Sequence, residues 1–136
     1  MTVETKGIPL AYEVAKSLGI ELVIIRRENK VTEGPTVSIN YLSGTSGRIQ
    51  QMSLAKKSMK PSSRCVFIDD FLRGGGTAQG ITDLLKEFDS ELVGTGVLVD
   101  NIGVVNKRVT DYVSIIDIEY ISEDGKIKVT PSNLIK

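Results

Sequence analysis

Apolar residues recur along this chain with two different periods, and the switches between them lay out most of its elements. In Ile8–Leu18 the positions Ile8, Ala11, Val14, Ala15 and Leu18 return at helical spacing. Pro9 falls in the first turn, where its missing N–H costs nothing, and Gly19 follows as a left-handed cap. Ile20–Ile25 is a short run, apolar except for Glu21, and reads as a parallel strand buried on both faces. Thr36–Leu42 alternates instead, with Val37, Ile39 and Tyr41 on one side, and predicts a half-buried strand. Cys65–Ile68, Leu92–Val99 and Val113–Ile118 read as further strands, with a short terminal one near Ile127–Val129. Thr77–Phe88 carries Ile81, Leu84, Leu85 and Phe88 on one helical face, and Thr2-Val3 reads as the end of a strand.

The connections are less regular. Glu28 to Pro35 is polar, contains Gly34-Pro35 and reads as a loop; Ser43-Gly44-Thr45-Ser46-Gly47 is a turn. Arg48–Met59 fits two periods: Ile49, Met52, Lys56 and Met59 suit a helix, and Met52, Leu54 and Lys56 suit a strand. The strand reading is taken, and it makes Thr36–Met59 a long hairpin that protrudes from the sheet. Strands alternating with helices predict an α/β fold, a mostly parallel sheet with helices on both faces. Ligands bind such sheets at the carboxyl ends of the strands.

Composition narrows the chemistry. A length of 136 residues suits one domain, and no apolar run approaches the roughly 18 residues of a membrane span. There is no histidine and one cysteine, Cys65, which excludes histidine-based triads, an internal disulfide and Cys/His metal clusters. A cytoplasmic setting is expected. Net charge is zero but unevenly spread. Arg26, Arg27, Lys30, Arg48, Lys56, Lys57, Lys60 and Arg64 face only Glu28 and Glu33 in the middle of the chain, leaving nine cations against fifteen acids elsewhere. That basic middle suits a polyanion site or a solvated face equally well.

The segment richest in chemistry is Cys65-Val66-Phe67-Ile68-Asp69-Asp70-Phe71-Leu72-Arg73-Gly74-Gly75-Gly76-Thr77. A buried strand delivers two carboxylates to its end, three glycines expose backbone N–H groups, and a helix begins at Thr77. A helix N-terminus carries about half a positive charge and unpaired donors, so it is a ready anion cradle. Carboxylates repel phosphate, so the pair points to a ligand with both groups: a diol that donates to Asp69 and Asp70, and a phosphate taken by Arg73 to Thr77. Adjacent acids also tolerate a divalent cation. Other phosphate motifs fail. Gly75 and Gly80 have Walker A spacing, but Ile81 stands where lysine is required, and no G-x-G-x-x-G follows the first strand.

That segment resembles the phosphoribosyl pyrophosphate motif of type I phosphoribosyltransferases: four apolar residues, two acids, two apolar residues and a small-residue loop ending in Thr. Glu4-Thr5-Lys6-Gly7-Ile8-Pro9-Leu10-Ala11 resembles that family's pyrophosphate loop, Arg26 resembles a further diphosphate contact, and the Thr36–Met59 hairpin resembles a mobile loop that closes over the ligand. Within the family, Glu4–Ala11, Asn29-Lys30-Val31-Thr32-Glu33-Gly34, Thr36–Tyr41, Arg48-Ile49-Gln50 and Met52–Lys56 are similar to the purine operon repressors of Gram-positive bacteria. The resemblance implies a regulatory domain, residues 1–136, that senses phosphoribosyl pyrophosphate through Thr5, Lys6, Gly7, Arg26, Asp69, Asp70, Phe71, Leu72, Arg73, Gly74, Gly75, Gly76 and Thr77. It implies Mg²⁺ carried with the effector, a homodimer, and DNA binding only through a winged-helix domain absent from this chain.

One departure favours a sensor over an enzyme. Related xanthine and adenine transferases carry an acid-Lys-x-Phe pattern after the fourth strand, its ring stacking on the purine. Here the segment reads Asp100-Asn101-Ile102-Gly103-Val104-Val105, without an aromatic residue. Base stacking is worth about 1–3 kcal/mol in nucleic-acid systems, so its loss would weaken nucleobase binding. The reading is a catalytically silent transferase fold with no catalytic residue or protein metal site assigned. The alternatives are an active purine phosphoribosyltransferase and, more weakly, a nucleic-acid-binding hairpin.

Overall fold

The computed structural model describes residues 1–28, 31–44, 46–132 and 134. Asn29 and Lys30 of the basic middle, and Thr45 of the Ser43–Gly47 turn, lie outside the described residues. The elements run β1 (Thr2–Val3), α1 (Ile8–Leu18), β2 (Ile24–Ile25), β3 (Thr36–Leu42), β4 (Ile49–Ala55), β5 (Arg64–Leu72), α2 (Gly76–Lys86), β6 (Glu91–Asn101), β7 (Val113–Ile121) and β8 (Ile127–Pro131). Short 3-10 turns at Val31–Glu33 and Lys56–Ser58 flank the hairpin.

β5, β6 and β7 pair in parallel, and β8 closes that edge antiparallel to β7. β1 pairs in parallel with β2. Met1 joins the two sets: its N–H donates to the Val66 carbonyl at 2.7 Å, and its carbonyl accepts from the Ile68 N–H at 2.9 Å. The lateral order is therefore β2-β1-β5-β6-β7-β8. The β3–β4 hairpin, antiparallel from Thr36↔Ala55 to Leu42↔Ile49, is tied on through reciprocal Arg26–Ser53 backbone bonds of 2.9 and 2.7 Å.

α1 forms where its period predicts. Pro9 sits in its first turn, and Gly19, at φ 65°, closes it by donating to the carbonyls of Ala15 and Lys16. It packs against β1 and β5, whereas α2 packs against β3 and β6. The core gathers Ala78, Ile81, Leu84 and Leu85 of α2 around Phe67 of β5, Val3 and Ile25 of the short strands, and Tyr41, Met52 and Leu54 of the hairpin. The inner face of the hairpin is thus core, while Ile49 near its tip is largely exposed.

Several boundaries differ from the sequence reading. β2 is only Ile24–Ile25 and Ile20 is 55% exposed, because β1 offers just two ladder positions. β5 runs four residues past Ile68, to Leu72, because β6 continues beside it and pairs with Asp69, Phe71 and Leu72. The aspartates therefore lie inside a strand rather than beyond it. α2 starts at Gly76 and ends at Lys86, with Phe88 buried in the turn that follows. β4 resolves the ambiguous stretch as strand. Met52, Ser53, Leu54 and Ala55 are consecutively buried, with Met52 and Leu54 in the core and the intervening Ser53 covered too, which erases the alternation a sequence pattern relies on.

Candidate functional site

The chain winds outward from the middle of the sheet in two directions: β1 leads through α1 to β2, and β5 leads through α2 to β6. β1 and β5 are neighbours, so the order reverses between them and their carboxyl ends open a crevice, the usual ligand position in such sheets. The parting is visible in the ladder. Ile68 still donates to Met1, but the Asp70 N–H turns to the Asp69 carboxylate at 2.9 Å. A cleft of about 620 Å³ lies there, lined by Thr5 and Lys6 after β1, Asp69, Asp70 and Phe71 at the end of β5, and Thr77 of α2. Val3, Glu4, Arg27, Ser43, Ser46 and Gln50 complete its wall.

The acid pair sits where the two halves meet. A Cβ on Gly7 would lie 2.6 Å from Asp69 Oδ1, so only glycine lets the loop after β1 close on that carboxylate. Burial, then the hydrogen bond and charge shared with Asp70, push the Asp69 carboxyl up to about 7, against the pull of the Asp70 N–H and Arg27. A carboxyl poised there accepts from a diol when ionised and donates when protonated. The flanking Glu4–Thr5 peptide bond is cis.

The glycine loop is built by close approach. Gly75 has φ 72° and precedes α2 without a side-chain cap. A Cβ on Gly76 would fall 1.9 Å from the Leu42 carbonyl oxygen, and one on Gly74 would fall 3.2 Å from Gly44 Cα. The loop is therefore wedged against the hairpin end. Arg73, Gly74, Gly75 and Gly76 border a small hollow that shares Asp69, Phe71 and Thr77 with the main cleft. Arg73 is exposed and Leu72 is buried.

Arg26, expected as a diphosphate contact, stands outside the cleft lining. Its guanidinium bonds Glu4 and Glu33, each at 3.1 Å, and it does not line the cleft. Those two carboxylates, Glu4 first, raise its pKa. Arg27 lines the cleft instead. Its N–H and Nε donate to Glu4 Oε1 and the Glu4 carbonyl at 2.7 and 2.9 Å, and Nη1 reaches Gln50 Oε1 at 2.9 Å. Tyr41 OH donates to the same Gln50 oxygen at 3.0 Å. Consecutive residues of an extended chain point to opposite sides, so one residue of register decides which arginine faces the ligand space. The other described cations of the basic middle do not line the cleft.

The segment after β6 holds residues that sequence reasoning missed. Asp100, 2% exposed, accepts from Lys107 Nζ on one oxygen and from Tyr112 OH at 2.7 Å on the other. Lys107 also donates to Tyr112 OH at 2.9 Å and sits 5.2 Å from its ring centre. Burial alone would lower the Lys107 ammonium, and Asp100 with Tyr112 outweighs it, so its pKa is raised. No local motif marks Lys107 or Tyr112; only the reach back to Asp100 does. Among the described residues no cluster of three acidic or sulfur ligands could hold a metal, and no helix is long and apolar enough to cross a membrane.

Comparison with known proteins gives a consistent picture. Residues 1–132 match the phosphoribosyl transferase domain family. The chain is 50% identical, over its whole length, to the purine biosynthesis transcriptional repressor PurR of Bacillus subtilis, of which it covers 48%. It is 52% identical over 89% of its length to a probable purine biosynthesis transcriptional regulator PurR of Streptococcus pneumoniae, of which it covers 44%. The chain thus spans about half the length of these relatives. Among solved structures, the adenine phosphoribosyltransferase of Giardia lamblia in complex with 9-deazaadenine superposes with a TM-score of 0.75 over 88% of this chain and 68% of that one, at 20% identity.

Proposed function

Because this chain belongs to the phosphoribosyl transferase domain family, we propose that it is the effector-binding part of a transcriptional regulator of purine biosynthesis, and that its effector is phosphoribosyl pyrophosphate. The observation that carries the reading is the cleft at the β1–β5 parting, where an acid pair stands between two anion-binding edges. Asp69 and Asp70 take the ribose hydroxyls. The Arg73–Thr77 loop and the N-terminus of α2 take the 5′-phosphate. The backbone and side chains of Thr5 and Lys6, with Gly7 beneath them, take the diphosphate together with Arg27.

A ligand this polar finds carboxylates, hydroxyls and cations along the cleft wall, beside the apolar Val3 and Phe71. Among the described residues no three acidic or sulfur side chains gather closely enough to hold a metal, so Mg²⁺ would arrive with the diphosphate and take most of its ligands from effector oxygens and water. The remaining length of the relatives leaves room for a DNA-binding domain outside this chain. A homodimer and a cytoplasmic location belong to the same reading.

The experiment is a titration with phosphoribosyl pyrophosphate and Mg²⁺, run beside product formation with adenine, guanine, hypoxanthine and xanthine. Saturable binding without nucleotide product is the expected outcome. Nucleotide formed from any of the four bases above a no-protein control replaces the sensor with a purine phosphoribosyltransferase. Absence of binding ends both readings.

A further inference from the structure

Parallel neighbours need a crossover of a dozen or more residues, usually helical. The connection from β6 to β7, residues 102–112, contains neither helix nor strand. Instead of forming a covering helix, it runs against the glycine loop. The Arg108 N–H donates to the Gly74 carbonyl at 3.0 Å, and a Cβ on Gly75 would stand 2.6 Å from Val109 Cγ1 and 2.9 Å from Val109 N. Two consecutive residues of this strap therefore press on two consecutive glycines of the anion loop.

Lys107 and Tyr112 bracket that contact in sequence and converge on one buried carboxylate, Asp100, at the end of β6. Asp100 in turn lies opposite Leu72, two residues before Gly74, in the β5–β6 ladder. Taking an ammonium and a carboxylate out of water offsets much of their attraction, so such a pair contributes little net stability. Breaking it on one side leaves a buried unpaired charge. What the triad does supply is a fixed anchor for a strap that has no ladder of its own.

We propose that Asp100, Lys107 and Tyr112 form a clasp that positions the Arg73–Thr77 loop for the 5′-phosphate, acting through Arg108 and Val109. The proposal rests on the reading of that loop as a phosphate site. The clasp residues touch no ligand. They hold Val109 over Gly75, and with it the left-handed conformation that turns the loop into α2. Gly75 is intrinsically mobile, and the strap removes that freedom before the ligand arrives, so less ordering has to be done on binding.

Splitting the effector into its two ends tests this. The full chain is titrated separately with ribose 5-phosphate and with pyrophosphate in the presence of Mg²⁺, then compared with the variants Val109→Gly and Lys107→Met. Misplacing a binding group by an ångström is costly, so both variants are expected to lose about tenfold or more in ribose 5-phosphate affinity. Pyrophosphate, held by the loop after β1 and Arg27, should change by no more than about twofold, within the non-additivity of distant sites. Val109→Gly leaves the buried ion pair intact, so it decides the matter even if Lys107→Met fails to fold. A parallel loss of pyrophosphate binding means the strap merely supports the fold and overturns the clasp. Unchanged ribose 5-phosphate affinity in Val109→Gly overturns it as well. If the parent chain binds neither half, the phosphate-site reading fails first and takes the clasp with it.

Discussion

The two loops that flank the cleft are built on opposite plans. The loop after β5 is made rigid by absence: Gly74, Gly75 and Gly76 fit against Gly44, Val109 and the Leu42 carbonyl because they have no side chains. The loop after β1, beyond the close fit of Gly7 on Asp69, is held mainly by charge: Glu4 is shared between Arg26 and the backbone and side chain of Arg27, and Glu33 holds Arg26 from the other side. Steric fit is all or none and insensitive to salt, whereas partly exposed ion pairs are worth little each and are screened. The glycine loop should therefore fail abruptly when altered, and the charged loop gradually.

The largest effect is expected at Gly76. In Gly76→Ala the new Cβ would stand 1.9 Å from a backbone oxygen that cannot move without the hairpin, and overpacking of that kind costs about 3 kcal/mol or more. The thermal midpoint should fall by many degrees and effector binding should vanish. Gly94→Ala, where the added carbon meets nothing within 4 Å, is the control. A Gly76→Ala protein that melts with the parent would break the contrast between the loops at once.

Asp70→Ala comes next, and it acts on binding. Hydrogen bonds to charged groups are worth about 1.5–3 kcal/mol, so affinity for phosphoribosyl pyrophosphate should fall roughly tenfold or more while the unliganded melt stays close to the parent. A variant that melts several degrees lower but keeps the full ligand-induced shift would remove Asp70 from the site.

Asp69 titrates between the loops, and its sign is opposite to that of a salt-bridged carboxylate. Its folded pKa, about 7, lies above the ordinary value of 3.8, so the folded protein binds the proton more tightly than the unfolded chain. Stability from this group is present at about pH 4 and is lost as pH rises toward 7. Asp69→Asn should therefore stabilise the unliganded protein at pH 8, by about 1–3 kcal/mol. Near pH 4 the gain should disappear. Denaturant titrations at the two pH values check it; an equal change at both would mean that the effect is packing rather than ionisation.

The smallest effects sharpen the charged side. Arg27→Ala should weaken pyrophosphate binding several-fold with a stronger dependence on salt, as expected for a cation facing the ligand. Arg26→Ala should cost no more than about 1 kcal/mol of stability, since its two ion pairs are partly exposed. It should also leave affinity nearer the parent. The reverse ranking would return the diphosphate contact to Arg26.

What the sequence determined by itself was local. The helical period in Ile8–Leu18, with Pro9 and Gly19 at its ends, placed α1 to the residue, because caps and period are properties of a dozen adjacent positions. Strand, acid pair and glycine loop could be read as one unit from Cys65 to Thr77 because all its parts are contiguous. Tertiary structure decided what depends on partners far along the chain. β2 shrank to two residues because β1 is two residues long, and β5 grew to Leu72 because β6 accompanies it. Met52, Leu54 and Lys56 pointed to a strand at β4, but a helical period fitted as well, and the unbroken burial of Met52, Ser53, Leu54 and Ala55 came only with tertiary packing. That Arg27 lines the cleft and Arg26 does not goes with the Arg26–Ser53 bridge, which fixes the register of this segment against the hairpin. The junction of Asp100 with Lys107 and Tyr112 depended on how an irregular strap folds back, and no propensity encodes that. Side chains announce the elements they build, but which way each one faces is set by the neighbours that bury it, and those neighbours are assigned only when the chain closes on itself.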